Sequence, residues 1–378
     1  MSSKKSSNWQ QFSKKQQEID KKAPCYYTNE MKHLKMTAFS FVFFCSLLFS
    51  FEGYASTGEK QLVLAKEGTY RCGKQPKQVL FSPDNACVVL PLLEDNGFQV
   101  LDLAKDRTAT MIVPPRAKQQ GFAEGLFIKE KNAFFVSQMT TGYIYEYEYH
   151  YPDFTFKREI KTNGVWSKFI AWNSDSQMLA VSNWVSNDVS LIDYETGNVL
   201  RKLQTDKAPR GLAFVNGGTE IIVLCFDGGK IQKFNTQTGK LIDSIYIQNA
   251  AMRHIAVNAQ ESTAYISDMY HACVYVVDLA AFKITDTWKV FKNPNTIALY
   301  KDRWLFVSCR GPNNKEDYTK RSPVNGKIII FDTSDGTIHD TIPGGNQPTG
   351  LDLSPDGSWM CFSNFQDANI ELYKITCE

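Results

Sequence analysis

Histidine is scarce in this sequence, with five among 378 residues, and no strong metal-ligand spacing joins them to one another or to cysteine. A bound metal is therefore not expected. No CxxCH occurs, which excludes an attached c-type haem, and no cofactor is expected on other grounds. Neither sign of charge dominates: 42 Lys and Arg face 40 Asp and Glu, a net charge of +2. So weak a bulk charge gives no reason to expect nucleic acid as a partner. The apolar run at residues 36–51, MTAFSFVFFCSLLFSF, stops at 16 residues, short of the ~20 that a spanning helix usually needs.

The residues around that run have an order. The first 35 residues carry eight Lys against Glu18, Asp20 and Glu30, and little that can build a core. Gly53 and Ala55, after the run, are small residues three and one before a cleavage point. Positive, apolar, small is the order of a secretory signal. Residues 31–55 are thus expected to be a cleaved signal or a membrane anchor, with membrane contact only through this segment. Met31, Lys32, His33, Leu34 and Lys35 make an ordinary signal start. Residues 1–30 are then a basic extension, expected to be disordered or a mis-assigned start. Phe44 before Cys45 is too large for lipid attachment there. A chain beginning at Ser56 keeps seven cysteines, an odd number that leaves at least one unpaired. Most fall in or beside strands and read as buried small apolar residues. One disulfide among Cys225, Cys273 and Cys309 is the alternative.

The rest of the chain repeats itself. Residues 347–375, QPTGLDLSPDGSWMCFSNFQDANIELYKI, read as three short strands joined by tight turns, with Pro355 and Gly357 in the first turn. Val79, Leu126, Ile170, Leu212, Ile255, Ile297 and Leu351 take the same first-strand position, at steps of 47, 44, 42, 43, 42 and 54 residues. The second strand ends 11 or 12 residues later in every copy. A period of this size with several strands per copy marks propeller blades. Six copies are followed by a fourth, outer strand: 109–114, 154–160, 199–205, 241–247, 284–290 and 338–343. The seventh has no chain left for one. The alternating strand at 61–67 is expected to supply it, pairing with 370–375 and closing the ring. The expected fold is all-β: one seven-bladed propeller over residues 56–378, with four antiparallel strands per blade.

The second strands FFVSQ (134–138), LAVSN (179–183), AYISD (264–268), LFVSC (305–309) and MCFSN (360–364) carry a family resemblance. With the first strands APRGLAF (208–214) and QPTGLDLSPDG (347–357), and LIDYETGN (191–198), they resemble the YVTN-type repeats of seven-bladed propellers. Surface-layer and lactonase-like proteins belong to that group. Blades 1 and 4 depart from the pattern, with Leu90 and Leu224 where the others place Ser. The Gly-His and Trp-Asp signatures of WD propellers are missing. The resemblance implies a fold and leaves activity open, since propellers host many functions.

In a propeller the start of each first strand rings the channel mouth. Alignment on the position after the Pro of PTG puts Lys77, Glu124, Lys168, Arg210, Arg253, Asn295 and Thr349 there. Lys77 and Glu124, on neighbouring blades, are expected to pair. The remaining cations would focus a positive potential suited to an anionic ligand; the plain alternative is a solvated rim. The long sixth step is an insertion in blade 6, residues 310–327, beginning at Arg310 and expected on the same face. A hydrolase in the same channel would draw on Glu124 and His254 beside Arg210 and Arg253. A metal set of His254, Asp268 and His271 is imaginable but has no supporting spacing. Trp172 reads as core, and Trp166 and Trp184 as loop residues that pack between blades or stack on a ligand. The Tyr- and Phe-rich run 143–156 reads as an outer hairpin with an exposed aromatic stripe.

The expected function is a non-catalytic binding or scaffold protein outside the cytoplasm, in the periplasm or at the cell surface. It would hold an envelope protein or a small anionic ligand through Lys77, Lys168, Arg210, Arg253, Asn295 and Arg310. The alternative is a lactonase-like hydrolase using the same channel.

Overall fold

A computed structural model describes residues 62–377, except 318 and 319. The expected extension at 1–30 and the expected signal or anchor at 31–55 lie outside those residues. Among the described residues no helix is long and apolar enough to cross a membrane. The described chain forms 28 strands in seven antiparallel sheets of four, one sheet per blade. Short alternating runs and turn chemistry explain the meander. In blade 3, Asp193 Oδ1 accepts both Thr196 N at 2.8 Å and Thr196 Oγ1 at 2.6 Å, and Gly197 follows with φ +70°. Asn235, Thr238 and Gly239 repeat that turn in blade 4.

The hydrophobic core is divided among the seven junctions between neighbouring blades. In the junction of blades 3 and 4, Val189 and Leu191 meet Leu212 and Val223, all nearly inaccessible. The aromatic hairpin of blade 2 belongs to the junction with blade 1 and is not an exposed stripe. Tyr145, Tyr147 and Tyr149 are buried, and Phe98 of blade 1 packs on Phe134, Tyr147 and Phe154 at 5.0, 5.2 and 5.7 Å between ring centroids. Trp172 is partly buried against the core between blades 2 and 3, and its indole N–H donates to Glu130 at 2.6 Å. Cys225, Cys273 and Cys309 sit in three different junctions and carry free thiols, so no disulfide joins them. Burial pushes the Cys225 and Cys273 thiols up to about 12, which keeps them unreactive at neutral pH.

The ring is closed by the strand Leu62–Arg71. It runs antiparallel to Asn369–Cys377, with Leu64 opposite Ile375 and Tyr70 opposite Ile370. It becomes the outermost strand of blade 7. Leu62 also packs into the core shared by blades 6 and 7, and its carbonyl meets His339 Nε2 at 3.0 Å. The closure leaves no unpaired edge between the first and last blades.

In blades 3, 5, 6 and 7 the Ser near the end of the second strand joins neighbouring blades. Six first strands carry a bulge near the channel mouth, which takes backbone amides out of the ladder. In blade 6, Ser308 Oγ accepts the freed Thr296 N–H at 3.0 Å and donates to the carbonyl of Thr349, on the next blade, at 2.9 Å. Ser182 links Phe169 N to Arg210 O, Ser267 links His254 N to Asn295 O, and Ser363 links Gly350 N to Pro76 O in the same way. Blade 4 has Leu224 at this place. There Gly211 lets the backbone approach, since a Cβ would lie 2.9 Å from the Leu224 side chain.

Ser308→Ala is expected to cost about 1–3 kcal/mol, because it leaves a buried amide and carbonyl short of partners. Urea unfolding of the two proteins checks this, and a loss well under that range would reduce the Ser to a space-filler. A second expectation concerns Asp352, whose carboxylate accepts Phe81 N–H at 2.8 Å across the junction of blades 7 and 1. Burial pushes its carboxyl up from 3.8 to about 7. The folded state favours the neutral acid, so its contribution is full below the unfolded value and is lost as pH rises through about 7. Asp352→Asn is expected to flatten that loss in unfolding midpoints taken on either side of this pH.

Candidate functional site

The bulges place the ring at the channel mouth. They re-aim first-strand side chains where six of the strands enter the channel, at the second and third residues of the strand. In blades 3 to 7 the second residue is Lys168, Arg210, Arg253, Asn295 and Thr349, as the alignment expects. All five are buried, with Arg210 3% and Asn295 2% exposed.

One position differs in level. In blade 2 the bulge spans Phe122 to Gly125, and Ser137 Oγ accepts Glu124 N–H at 3.2 Å. Ala123 therefore takes the ring position, and Glu124 lies one residue deeper, level with Phe169 and His254. In blade 1 the first strand proper is only Leu80–Phe81, and Lys77 N–H bonds Pro91 O at 2.9 Å. Pro76 bridges Leu92 there as Pro209 pairs with Cys225 in blade 4, so Lys77 stands level with Arg210, as the alignment expects. The expected Lys77–Glu124 pair is replaced: Glu124 forms a buried ion pair with Arg210, from blade 4.

The other polar contacts run between blades too. Arg253 Nε donates to Asn295 Oδ1 at 3.2 Å. Lys168 Nζ lies over the Trp184 ring at 3.7 Å and the Trp166 ring at 5.5 Å from their centroids. Lys77 and Arg310 both lie over Phe365, at 5.3 and 5.2 Å. Arg310 also donates to Gln347. Burial holds the Lys77 ammonium well below its ordinary range, and Arg253, Arg310 and Arg210 press it further down while Glu124 opposes them. Lys168 is lowered by burial, then by Arg210 and Arg253. Cations from blades 1, 3, 4, 5 and 6 thus share one space with Glu124 from blade 2, and Asp227 of blade 4 acts on Lys168.

His254 lies one residue deeper than Arg253 and meets Phe169 edge to face at 5.3 Å across the channel. Burial drives its imidazole down to about 4, with Arg210 and Arg253 adding to the effect against Glu124. Nδ1 of His254 has no hydrogen-bond partner among the described residues. Asp268 and His271 are elsewhere: His271 Nδ1 meets Asp268 Oδ2 at 2.6 Å, and Tyr275 OH donates to the same oxygen at 2.8 Å. Among the described residues no three His, Cys, Asp or Glu side chains gather as a metal site. The blade-6 insertion lies on the mouth face and is pinned to blade 7. Ser322 N–H and Asn346 exchange bonds at 2.9 and 3.0 Å, and Arg321 pairs with Asp367.

No protein-family model matches the chain. It is 36% identical over 333 residues to Antigen Lp49 of Leptospira interrogans serogroup Icterohaemorrhagiae serovar copenhageni. The match covers 84% of this chain and 72% of that protein. The chain belongs to the Antigen Lp49 family.

This Lp49-family propeller has a further ring that residue-by-residue reasoning about charge passes over. The residue just after the paired part of each second strand is Leu93, Met139, Trp184, Phe226, Met269, Arg310 or Phe365, and all but the half-buried Leu93 are buried. Their amides are held alike. Trp184 N bonds Trp166 O, Phe226 N bonds Ala208 O and Met269 N bonds Ala251 O, at 3.0, 3.0 and 3.1 Å. Trp184, Phe226 and Met269 form one apolar cluster with Ala208 and Ala251, and Trp166 and Tyr270 pack against it. The sequence signal was there, a large apolar residue after the SN or SD dipeptide. Arg310 is the one charged member of this collar. On the other face, a cleft of about 420 Å³ lies between blades 1 and 2. Its acid, Asp84, accepts from Tyr149 OH at 2.9 Å and from Ser82 Oγ at 2.6 Å.

Glu124→Gln is expected to cost about 3–5 kcal/mol, because it leaves the Arg210 guanidinium buried without its counter-charge. Thermal and urea midpoints at low salt measure it. A change under about 1 kcal/mol would mean the pair is solvated like a surface bridge.

Proposed function

We propose that this propeller is a non-catalytic binding protein whose mouth face holds a partner or ligand that presents negative charge. The observation that carries the reading is the convergence of Lys77, Lys168, Arg210, Arg253 and Arg310 on one space, opposed by Glu124 and, at Lys168, by Asp227. Asn295 adds a donor held by Arg253. The collar and the insertion supply a broader contact surface around that space. The name of the relative, an antigen, accords with a protein that meets partners outside the cytoplasm. The YVTN-type repeat pattern accords with the same setting. Residues 31–55 would then export or anchor the chain, residues 56–378 would be the binding unit, and residues 1–30 an extension. An envelope protein or a small anion is the proposed partner.

Arg253→Glu is expected to abolish capture of that partner from envelope extract while far-UV circular dichroism stays unchanged. Arg210→Glu should act alike, subject to the same control. Capture that survives in both folded variants would reduce the cations to decoration.

A further inference from the structure

A buried donor without an acceptor is costly in any fold, and a charged one more so. Arg210 Nε, Arg210 Nη1 and Asn295 Nδ2 are three such atoms among the described residues. They are not loose ends. Glu124 holds Arg210 by Nη2, and Arg253 Nε holds Asn295 by its Oδ1. Each side chain is therefore fixed at one end, with its remaining donors unspent. Both come from first strands that line the channel, on blades 4 and 6, and Arg253 stands between them on blade 5. The local charge is unbalanced in the same sense, with three arginines and two lysines against Glu124 and, beside Lys168, Asp227. One Asp or Glu side chain from a partner would bring a single charge and leave most of that imbalance in place. A guanidinium fork beside an amide N–H matches an oxyanion, flat or tetrahedral, in shape and in donor number.

We infer that the channel mouth encloses a small oxyanion carrying two or more negative charges, received by Arg210, Arg253 and Asn295, with Lys77 and Lys168 as flanking cations. This rests on the mouth-face reading above and narrows its ligand. Carboxylates and phosphates share the required chemistry. Binding has a proton signature. Lys77 faces Arg253, Arg310, Arg210 and Glu124, and Lys168 faces Arg210, Arg253, Glu124 and Asp227. His254 faces Glu124, Arg210 and Arg253. An arriving anion reverses the field at both lysines and favours their charged forms, so protons are taken up and affinity falls as pH rises.

The test is isothermal titration of the purified full chain with inorganic phosphate, pyrophosphate, succinate and citrate in low-chloride buffers of differing ionisation heat. Saturable binding of at least one of them at one site per chain is expected, with net proton uptake. Which compounds bind separates phosphate from carboxylate ligands. Asn295→Asp, close to isosteric, is expected to weaken that binding about tenfold or more. Arg210→Gln should do the same where it folds, and Asn295→Asp decides the matter where it does not. If none of the four compounds binds, or if Asn295→Asp binds as well as the parent, the oxyanion site is wrong. Loss of partner capture in Arg253→Glu alongside that negative result would leave the mouth-face reading standing and remove only this one.

Discussion

Each first strand has to enter the central channel while its buried amides and carbonyls stay bonded, and the bulges make that difficult. A bulge takes an amide out of the sheet, and the Ser of the second strand takes it back. The same hydroxyl then donates to a carbonyl of the next blade, as Ser182 does to Arg210 O and Ser308 to Thr349 O. One small side chain thus holds the bulge and ties two blades together. The bulge in turn re-aims the residues that line the mouth. The polar site and the repeat motif are two consequences of one backbone problem.

The mouth concentrates like charge in a place where water is scarce. Such an arrangement works against stability, and the Arg210–Glu124 pair offsets only part of it. The rest is spread over aromatic faces, with Lys168 over Trp184 and with Lys77 and Arg310 over Phe365. The propeller tolerates this because its stability is distributed. Seven inter-blade cores and a closing strand carry the fold, and the mouth is free to hold groups selected for something else.

Membership of the Antigen Lp49 family does not by itself supply a chemistry, and neither does the propeller. The case for binding comes from the side chains. His254 is held neutral by burial between two arginines, and Glu124 is engaged by one of them. Both groups serve the electrostatics of the channel in ways that a motif search for acids and bases does not reveal.

The blade count, the strand count and the closure by an N-terminal strand were legible in the residues. A blade is a local meander whose turns and alternation are written within about 45 residues, and the missing outer strand of the last copy pointed to 61–67. The types of residue at the mouth were legible for the same reason, down to Lys168, Arg210, Arg253 and Asn295. The level of Glu124 was not. Glu124 slid one residue deeper because the bulge of blade 2 begins at Phe122. Its partner is Arg210, two blades away. The aromatic hairpin at 143–156 and the three separated cysteines were likewise decided by which blade lies alongside. Local spacing sets what a strand contains. Register and the identity of the neighbouring blade arise only when distant segments pair and pack, so the ion pair and the buried donors belong to the tertiary structure.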